Sequence, residues 1–576
     1  MKKFFEKHTV AKAIGILFAI AIILSWVVKT GQFQGTTLAD GGMMRIGFND
    51  IATIFYTSIY FILDKIIYFL VLGGFYAVLS KTDGYKKLIA NIVNKIKGKE
   101  AIFVVVSSII ITFLTSMISQ TLAIFIVIPM LMTIMFKSGI NKLTAFAATF
   151  GAVLVGVLGG IYGIDALITF DTYMSQGLAD KSALELTIAY RIIILAVATI
   201  LYNFFLYFAA KKSLDSKKKK EEISEAFEVE ETKSKKVKMF PIYVILGLTF
   251  VITLLGFIDW NKIFGITAFN EFHTWLTGLK VGKDFTIVSS ILGQNAVAFG
   301  SWDLLAFSVV LVILVALTAL VYSVKFDELI SAFGKGMLNT VKPVGAAIGV
   351  YLILVAVYLS PTVPTVVEKI LKQDSVPKLN IDLGGANVAI FNVDEDDDGK
   401  ADYNLINQDT NKDGKCDLNC DTNKDGYPDK YLDINGDGVS DENDDAIAQQ
   451  LTGVSTLNVD VDGNGKADVN VVDSFSLPRI IVAAIYTNIF HPDLGYTGYS
   501  MGGYITGAAS GHIEVVFLVF FAIYALLQFF IPSSLILMFG LTYANISIPD
   551  WMKYIWRFIL GMLCVLLIMF IFVTLL

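Results

Sequence analysis

Apolar runs decide what this 576-residue chain can become, because six or more of them exceed the ~18 residues that mark a membrane-spanning candidate. Hydrophobic residues make up 55% and charged residues only 17%, with a mean hydropathy of +0.66, whereas a soluble chain carries about 25% charged residues. The chain reads as an all-α polytopic membrane protein solvated by a lipid bilayer. A soluble enzyme, a secreted domain and a nucleic-acid partner are excluded. Spans are expected at Ile14–Val28, Ile59–Leu79, Ala101–Phe136, Leu143–Phe170, Leu186–Ala210, Pro241–Ile258, Leu304–Val324, Val344–Leu359, Leu477–Phe490, Ile513–Leu541 and Ile555–Leu576. Met1–Lys12 is basic and no small-residue cleavage pattern follows Val28, which favours an uncleaved first helix over a signal peptide.

Lysine placement gives the orientation. Lys81–Glu100 holds six lysines, and Lys211–Lys238 holds ten beside seven acidic residues. The positive-inside rule puts the N-terminus and both loops in the cytoplasm of a plasma-membrane protein. Counting spans forward then puts residues 361–476 outside. The expected organisation is a first membrane half (1–210), a flexible charged cytoplasmic linker (211–240), the first part of a second half (241–360), an extracytoplasmic insertion (361–476), and the rest of the second half (477–576).

Four stretches cannot be single straight helices. Ala101–Phe136 is twice too long for one crossing, is polar in its middle, and has lysines at both flanks; a re-entrant hairpin satisfies all three facts. Leu143–Phe170 carries Gly151, Gly156, Gly159, Gly160 and Gly163, then Asp165, so a broken helix is expected. The pair recurs: Leu477–His512 has two apolar arms around His491, Pro492 and Asp493, and Ile513–Leu541 is interrupted by Pro532-Ser533-Ser534. Irregular backbone survives at membrane depth only where protein or a watery cavity satisfies it. Two hairpins and two broken helices of opposite orientation are the pattern of an inverted-repeat secondary transporter.

Gly73-Gly74-Phe75-Tyr76-Ala77-Val78-Leu79, followed by the amphipathic stretch that ends Gly98-Lys99-Glu100, resembles the YfcC-type, anaerobic dicarboxylate carrier-like branch of the ion transporter superfamily. Ile531-Pro532-Ser533-Ser534-Leu535 through Ile546-Ser547-Ile548-Pro549-Asp550-Trp551-Met552-Lys553-Tyr554 resembles the closing motif of that superfamily. The resemblance implies a homodimer whose protomers work by alternating access. The chain departs from the family pattern at Ser119-Gln120-Thr121, Ile161-Tyr162-Gly163 and His491-Pro492-Asp493, so neither substrate nor coupling ion follows from the likeness. The expected substrate site combines Ser116, Ser119, Gln120, Thr121, Gly159, Gly160, Tyr162 and Asp165 with Thr497, Tyr499, Pro532, Ser533 and Ser534. Hydroxyls and freed amides would hold a small organic anion or zwitterion (a dicarboxylate, amino acid or peptide), and Na⁺ or H⁺ would supply the drive.

From Asp394 to Asp473 there are 22 acidic and 6 basic residues, a balance of −16 in a chain of formal charge −6. Five copies of one pattern account for it: Asp394-Asp396-Asp398-Gly399-Asp402, Asp409-Asn411-Asp413-Gly414-Asp417, Asp421-Asn423-Asp425-Gly426-Asp429, Asp433-Asn435-Asp437-Gly438-Asp441 and Asp460-Asp462-Asn464-Gly465-Asp468. Ca²⁺ takes six to eight hard oxygens, alternate side chains of a tight turn converge on one point, and the glycine permits the turn. Leu405 stands where an EF-hand would carry its bidentate glutamate. The repeats resemble thrombospondin type 3 or dockerin calcium repeats instead; a solvated acidic loop is the plainer alternative. Asn387–Val393, Asn458-Val459 and Val469–Val472 suggest bracketing strands. Cys416 and Cys420 fit a disulfide in an oxidising compartment or a pair of free thiols, and Cys564 reads as a buried thiol.

Several residues have ordinary explanations. Asp64-Lys65 reads as an interfacial pair, Arg191 and Glu514 as snorkelling or paired charges, and the glycines as packing positions or functional breaks. No glycine-rich phosphate loop ending in lysine and no His/Cys ligand spacing is present, so ATP-driven transport, zinc chemistry and enzymatic catalysis lack support. A membrane-anchored calcium-binding surface or sensing protein with a degenerate transporter body competes with the carrier reading.

Overall fold

The computed structural model describes residues 8–34, 37–161, 165–175, 182–215, 225–230, 237–281, 285–293, 296–371, 380–383, 386–389, 392–394, 403–404, 415–417, 420, 455–457, 475–491, 493–507 and 512–575. They form two compact units: Met1–Ile370 with Ile480–Ile505 and Ile513–Leu576, and Leu371–Arg479 with Thr506–His512.

The larger unit is helical. Its helices are α1 (Thr9–Val27), α2 (Phe48–Lys81), α3 (Asp83–Lys95), α4 (Glu100–Met117), α5 (Ile128–Lys137), α6 (Lys142–Leu158), α7 (Asp165–Met174), α8 (Ala183–Asp215) and α9 (Phe240–Phe257). Short helices α10 (Trp260–Phe264), α11 (Ala268–Thr277) and α12 (Ile287–Leu292) precede α13 (Leu304–Tyr322), α14 (Phe326–Leu359) and α15 (Val363–Leu371). After the insertion come α16 (Leu477–Phe490), α17 (Leu494–Gly507), α18 (Ile513–Leu527), α19 (Leu535–Tyr543) and α20 (Ile548–Thr574). Among the described residues eight helices are long and apolar enough to cross a membrane, which makes this a multi-pass membrane protein.

One order of elements occurs twice. A 34-residue helix, a short helix, an interrupted pair, a second interrupted pair and a long closing helix run from α2 to α8, and again from α14 to α20. The leaders α2 and α14 are longer than the expected spans Ile59–Leu79 and Val344–Leu359. Each would be about 51 Å long at ~1.5 Å per residue. Their polar first turns explain the difference: Asp50 accepts from Gly47 N–H at 2.7 Å, and Asp327 and Glu328 favour the positive end of α14. The two helices pack along each other at a glycine pair, where a Cβ on Gly73 would lie 2.5 Å from the Gly336 carbonyl oxygen.

Aromatic rings fill the centre. Phe69 stacks on Phe539 at 3.9 Å, and Phe125 meets Phe150 edge-on at 5.0 Å. The all-helical expectation misses a hairpin of β1 (Thr30–Gln34) and β2 (Thr37–Gly42), where Lys29 Nζ donates to Asp40 at 2.7 Å. That hydrogen bond holds the Asp40 carboxyl below the usual carboxylate range and the Lys29 ammonium above its own.

Three local expectations change. Helix α8 continues to Asp215, and residues 225–230 of the expected flexible linker are docked: Phe227 is buried, with its ring 5.3 Å from Phe136 and 5.0 Å from Tyr543. Apolar burial outweighs the surrounding charge at that point. Cys564 is exposed on α20 rather than buried, because that helix packs only one of its faces. Of the two readings of Arg191, snorkelling falls away: the side chain is fully buried and finds its partners inside the protein. Asp64 and Lys65 form the expected neighbouring ion pair, at 3.1 Å.

Within the smaller unit, residues 380–383 pair antiparallel with 386–389, and 392–394 form the middle of three strands between 403–404 and 455–457. These overlap the expected strand at Asn387–Val393; the other expected strands, Asn458-Val459 and Val469–Val472, lie outside the described residues. Cys416 and Cys420 are disulfide-bonded, with Cα atoms 5.7 Å apart. Of the twenty expected calcium ligands, only Asp417 and the backbone of Asp394 lie within the described residues.

Candidate functional site

Four interruptions fall where glycine, proline and hydroxyl residues break the apolar runs: residues 118–120, 159–161, 491–493 and 528–534. A broken helix leaves its last carbonyls and first amides without intrahelical partners, so each interruption is defined by what satisfies those groups.

At the first, α4 ends and the chain turns onto α9. Ile118 bridges Ile258, and both the amide and the hydroxyl of Ser119 donate to the Phe257 carbonyl, at 2.9 and 3.0 Å. A 3-10 turn over Thr121–Ile126 then leads into α5, with Ala123 N–H donating to Gln120 O at 2.9 Å. Ser116 bonds back to Phe113 O at 2.7 Å. Ser119 thus anchors the turn, and Ser116 shapes the end of its own helix.

The second interruption touches the first directly, Ile161 N–H donating to Ser116 O at 3.2 Å. Gly159 is a close-packing position, since a Cβ there would sit 2.6 Å from Leu195 Cα. The released carbonyls belong to Arg191 of α8. Its guanidinium donates to Gly160 O at 2.6 Å, Ile161 O at 2.7 Å, Leu184 O at 2.6 Å and Thr187 Oγ1 at 3.2 Å. A cation against helix-terminal carbonyls is the favourable sign. Tyr162 lies outside the described residues; Asp165 opens α7, and its side chain is outside them too.

The second half repeats the arrangement with other chemistry. Asp493 caps α17, accepting from Tyr496 N–H at 3.2 Å, and the Thr497 hydroxyl donates back to Asp493 O at 2.9 Å. The fourth interruption touches the third through Ser533, whose hydroxyl donates to Ile489 O at 2.7 Å. Ser534 caps α19 by accepting from Leu537 N–H, and Trp551 Nε1 donates to Phe529 O at 2.8 Å. Pro532 lies within this break. Tyr499 is exposed, its ring 5.6 Å from Tyr173.

The two halves also meet. Helix α7 packs on α17, where Cβ atoms on Gly495 and Gly498 would lie 3.2 Å from Thr169 Cβ and 3.0 Å from Phe170 Cα. Phe170 stacks on Phe517 of α18 at 5.2 Å. Of the expected site, Ser116 with residues 159–161 and Ser533 with the end of α16 are brought together; Ser119 is committed to α9.

Four residues with no place in the expected site stand out: Thr487, Asn488, His491 and Gln528. All are buried, and Thr487 Oγ1, Asn488 Oδ1, His491 Nδ1 and Gln528 Nε2 have no hydrogen-bond partner among the described residues. A signal existed in the chain: Thr487-Asn488 and Gln528 are polar residues inside otherwise apolar arms.

The model of the family described as C4-dicarboxylate anaerobic carrier matches residues 5–374. Among solved structures, the Alcanivorax borkumensis YdaH transporter is similar at 10% identity and a TM-score of 0.38, over 97% of each chain. No curated protein matches the sequence.

Proposed function

Since the chain belongs to the C4-dicarboxylate anaerobic carrier family, we propose that it is a secondary carrier of a small C4-dicarboxylate or related organic anion, working by alternating access. The observation that supports this reading is the paired contact of interruptions: Ile161 with Ser116 in one half, and Ser533 with Ile489 in the other. Each contact joins a hairpin break to a broken helix, so each half has one place where backbone amides and carbonyls are free of helical pairing. The first turns of α7, α17 and α19 offer amide groups and the positive ends of helix dipoles to substrate carboxylates.

In this reading the recurring element order is an inverted repeat, with one hairpin entering from each side and the N-terminus cytoplasmic. A Na⁺ or H⁺ gradient drives uptake, and two protomers associate. The unbroken recurrence of the element order favours an active carrier over a degenerate body that anchors a surface module. The extracytoplasmic insertion binds Ca²⁺ through its five aspartate–asparagine repeats, and the Cys416–Cys420 disulfide supports its placement in an oxidising compartment.

Reconstitution tests the reading. Purified protein in liposomes should show saturable, gradient-dependent uptake of a labelled C4-dicarboxylate, reduced several-fold by Ser533→Ala through loss of a hydrogen bond of about 1 kcal/mol. Absence of uptake by correctly inserted protein refutes the carrier, and uptake unaffected by either Ser533→Ala or Ser119→Ala refutes the site.

A further inference from the structure

Buried polar atoms without partners are costly, about 1–3 kcal/mol each, so a cluster of them requires a reason. Among the described residues eight side-chain atoms are in this condition, and five belong to Tyr486, Thr487, Asn488, His491 and Gln528. The remaining three, on Ser108, Asn203 and Thr365, lie on separate helices. The five therefore concentrate at the end of α16 and at the start of the 528–534 break, the two segments that Ser533 joins through Ile489 O at 2.7 Å. Thr487 and Asn488 are 0% exposed, His491 3% and Gln528 4%.

The chemistry of this cluster is defined by Asn488. Its Nδ2 donates to Ala484 O at 2.7 Å. Exchanging the amide nitrogen and oxygen would set oxygen against oxygen, so that bond fixes the orientation. The atom left over, Oδ1, can only accept. A ligand that satisfies it must bring an N–H or O–H group. An unsubstituted dicarboxylate at neutral pH has acceptor oxygens alone and would present like charge density to Oδ1. A dicarboxylate with a hydroxyl or ammonium on its carbon chain supplies the missing donor, while its carboxylates can accept from the Thr487 hydroxyl and the Gln528 amide. A bare metal ion would satisfy Asn488 Oδ1 and Thr487 Oγ1 but leave the Gln528 amide donor without an acceptor.

We infer that the buried cluster of Thr487, Asn488, His491 and Gln528 is a substrate subsite that selects hydroxy- or amino-substituted C4-dicarboxylates over unsubstituted ones. The inference rests on the carrier reading and narrows its substrate class. A site built to bond a substrate hydroxyl or amine rejects the analogue that lacks it, because its own buried groups then stay unpaired.

The test is competition in liposomes carrying the full chain, with L-malate, L-aspartate and succinate each displacing a labelled C4-dicarboxylate, in sodium and in choline medium. At least one of malate and aspartate should compete about ten-fold or more better than succinate in both media, and which of them does so identifies the donor as hydroxyl or ammonium. Asn488→Leu, similar in size and without the acceptor, should reduce that ratio to within about two-fold. The wild-type ratio is itself decisive should the variant not fold. Equal competition by all three, a preference that appears only in choline medium, or a ratio unchanged in Asn488→Leu overturns the inference while leaving the carrier intact. Absence of saturable uptake of any of them removes the carrier reading, and this subsite with it.

Discussion

Replacing Arg191 by methionine removes a buried guanidinium that donates to three main-chain carbonyls, those of Gly160, Ile161 and Leu184, and to Thr187 Oγ1. Hydrogen bonds to charged groups contribute about 1.5–3 kcal/mol each, so the three carbonyl bonds represent roughly 4–9 kcal/mol in gross terms. Removing the cation also relieves the desolvation of a buried charge, which is several kcal/mol in the opposite direction. The net expectation is a local loss of about 3 kcal/mol, concentrated at residues 159–161, where the Gly160 and Ile161 carbonyls must find water or rearrange. Local opening at that energy raises exchange by about two powers of ten. The assay is hydrogen–deuterium exchange on detergent-purified protein, read at the Ile161 amide that donates to Ser116 O. Arg191→Met should exchange there about a hundred-fold faster, and Arg191→Lys by an intermediate factor, since an ammonium keeps the charge without the planar fork. Exchange at residues 159–161 that is unchanged in Arg191→Met, with the protein folded, refutes the claim that this side chain holds the break.

Phe227→Ala should loosen residues 225–230, because losing a buried phenyl group costs about 3–5 kcal/mol, more than the exposed end of the Lys86–Glu230 pair at 3.7 Å or the smaller buried Val229 contributes. Cleavage after Glu225, Glu228 or Glu230 by a glutamyl endopeptidase should accelerate at least about ten-fold, and an unchanged rate contradicts the docking. Calorimetric titration of the full chain should show Ca²⁺ binding at roughly 0.1–1 mM or tighter, abolished by EGTA; a flat titration into the millimolar range leaves the repeats as a solvated acidic loop.

The interruptions were legible because glycine, proline and clustered hydroxyls are expensive inside a span, so Gly159-Gly160 and Pro532-Ser533-Ser534 mark breaks from composition alone. Helix lengths were less so. The polar first turns of α2 and the internal Pro343 of α14 look like boundaries, yet tertiary packing carries both helices through 34 residues. Arg191 was visible as a charge inside an apolar run, but a sequence cannot say which carbonyls a distant break releases. Phe227 was hidden for the opposite reason, as a single ring in a run of charges whose docking partners Phe136 and Tyr543 lie far along the chain. Asn488 and Gln528 were plain to see; that Asn488 Oδ1 and Gln528 Nε2 find no partner among the described residues is a property of packing alone.

The glycine contact between α2 and α14 has a mechanical corollary. Main chain there lies against main chain, with the Gly73 and Gly336 positions too tight for even a methyl group. Helices so matched cannot slide past one another without a clash at the next side chain, which makes the pair a keel rather than a hinge. In the alternating-access reading proposed above, what rocks would pivot about this keel, and the segments that the chain has already cut in two are the ones that reading sets in motion.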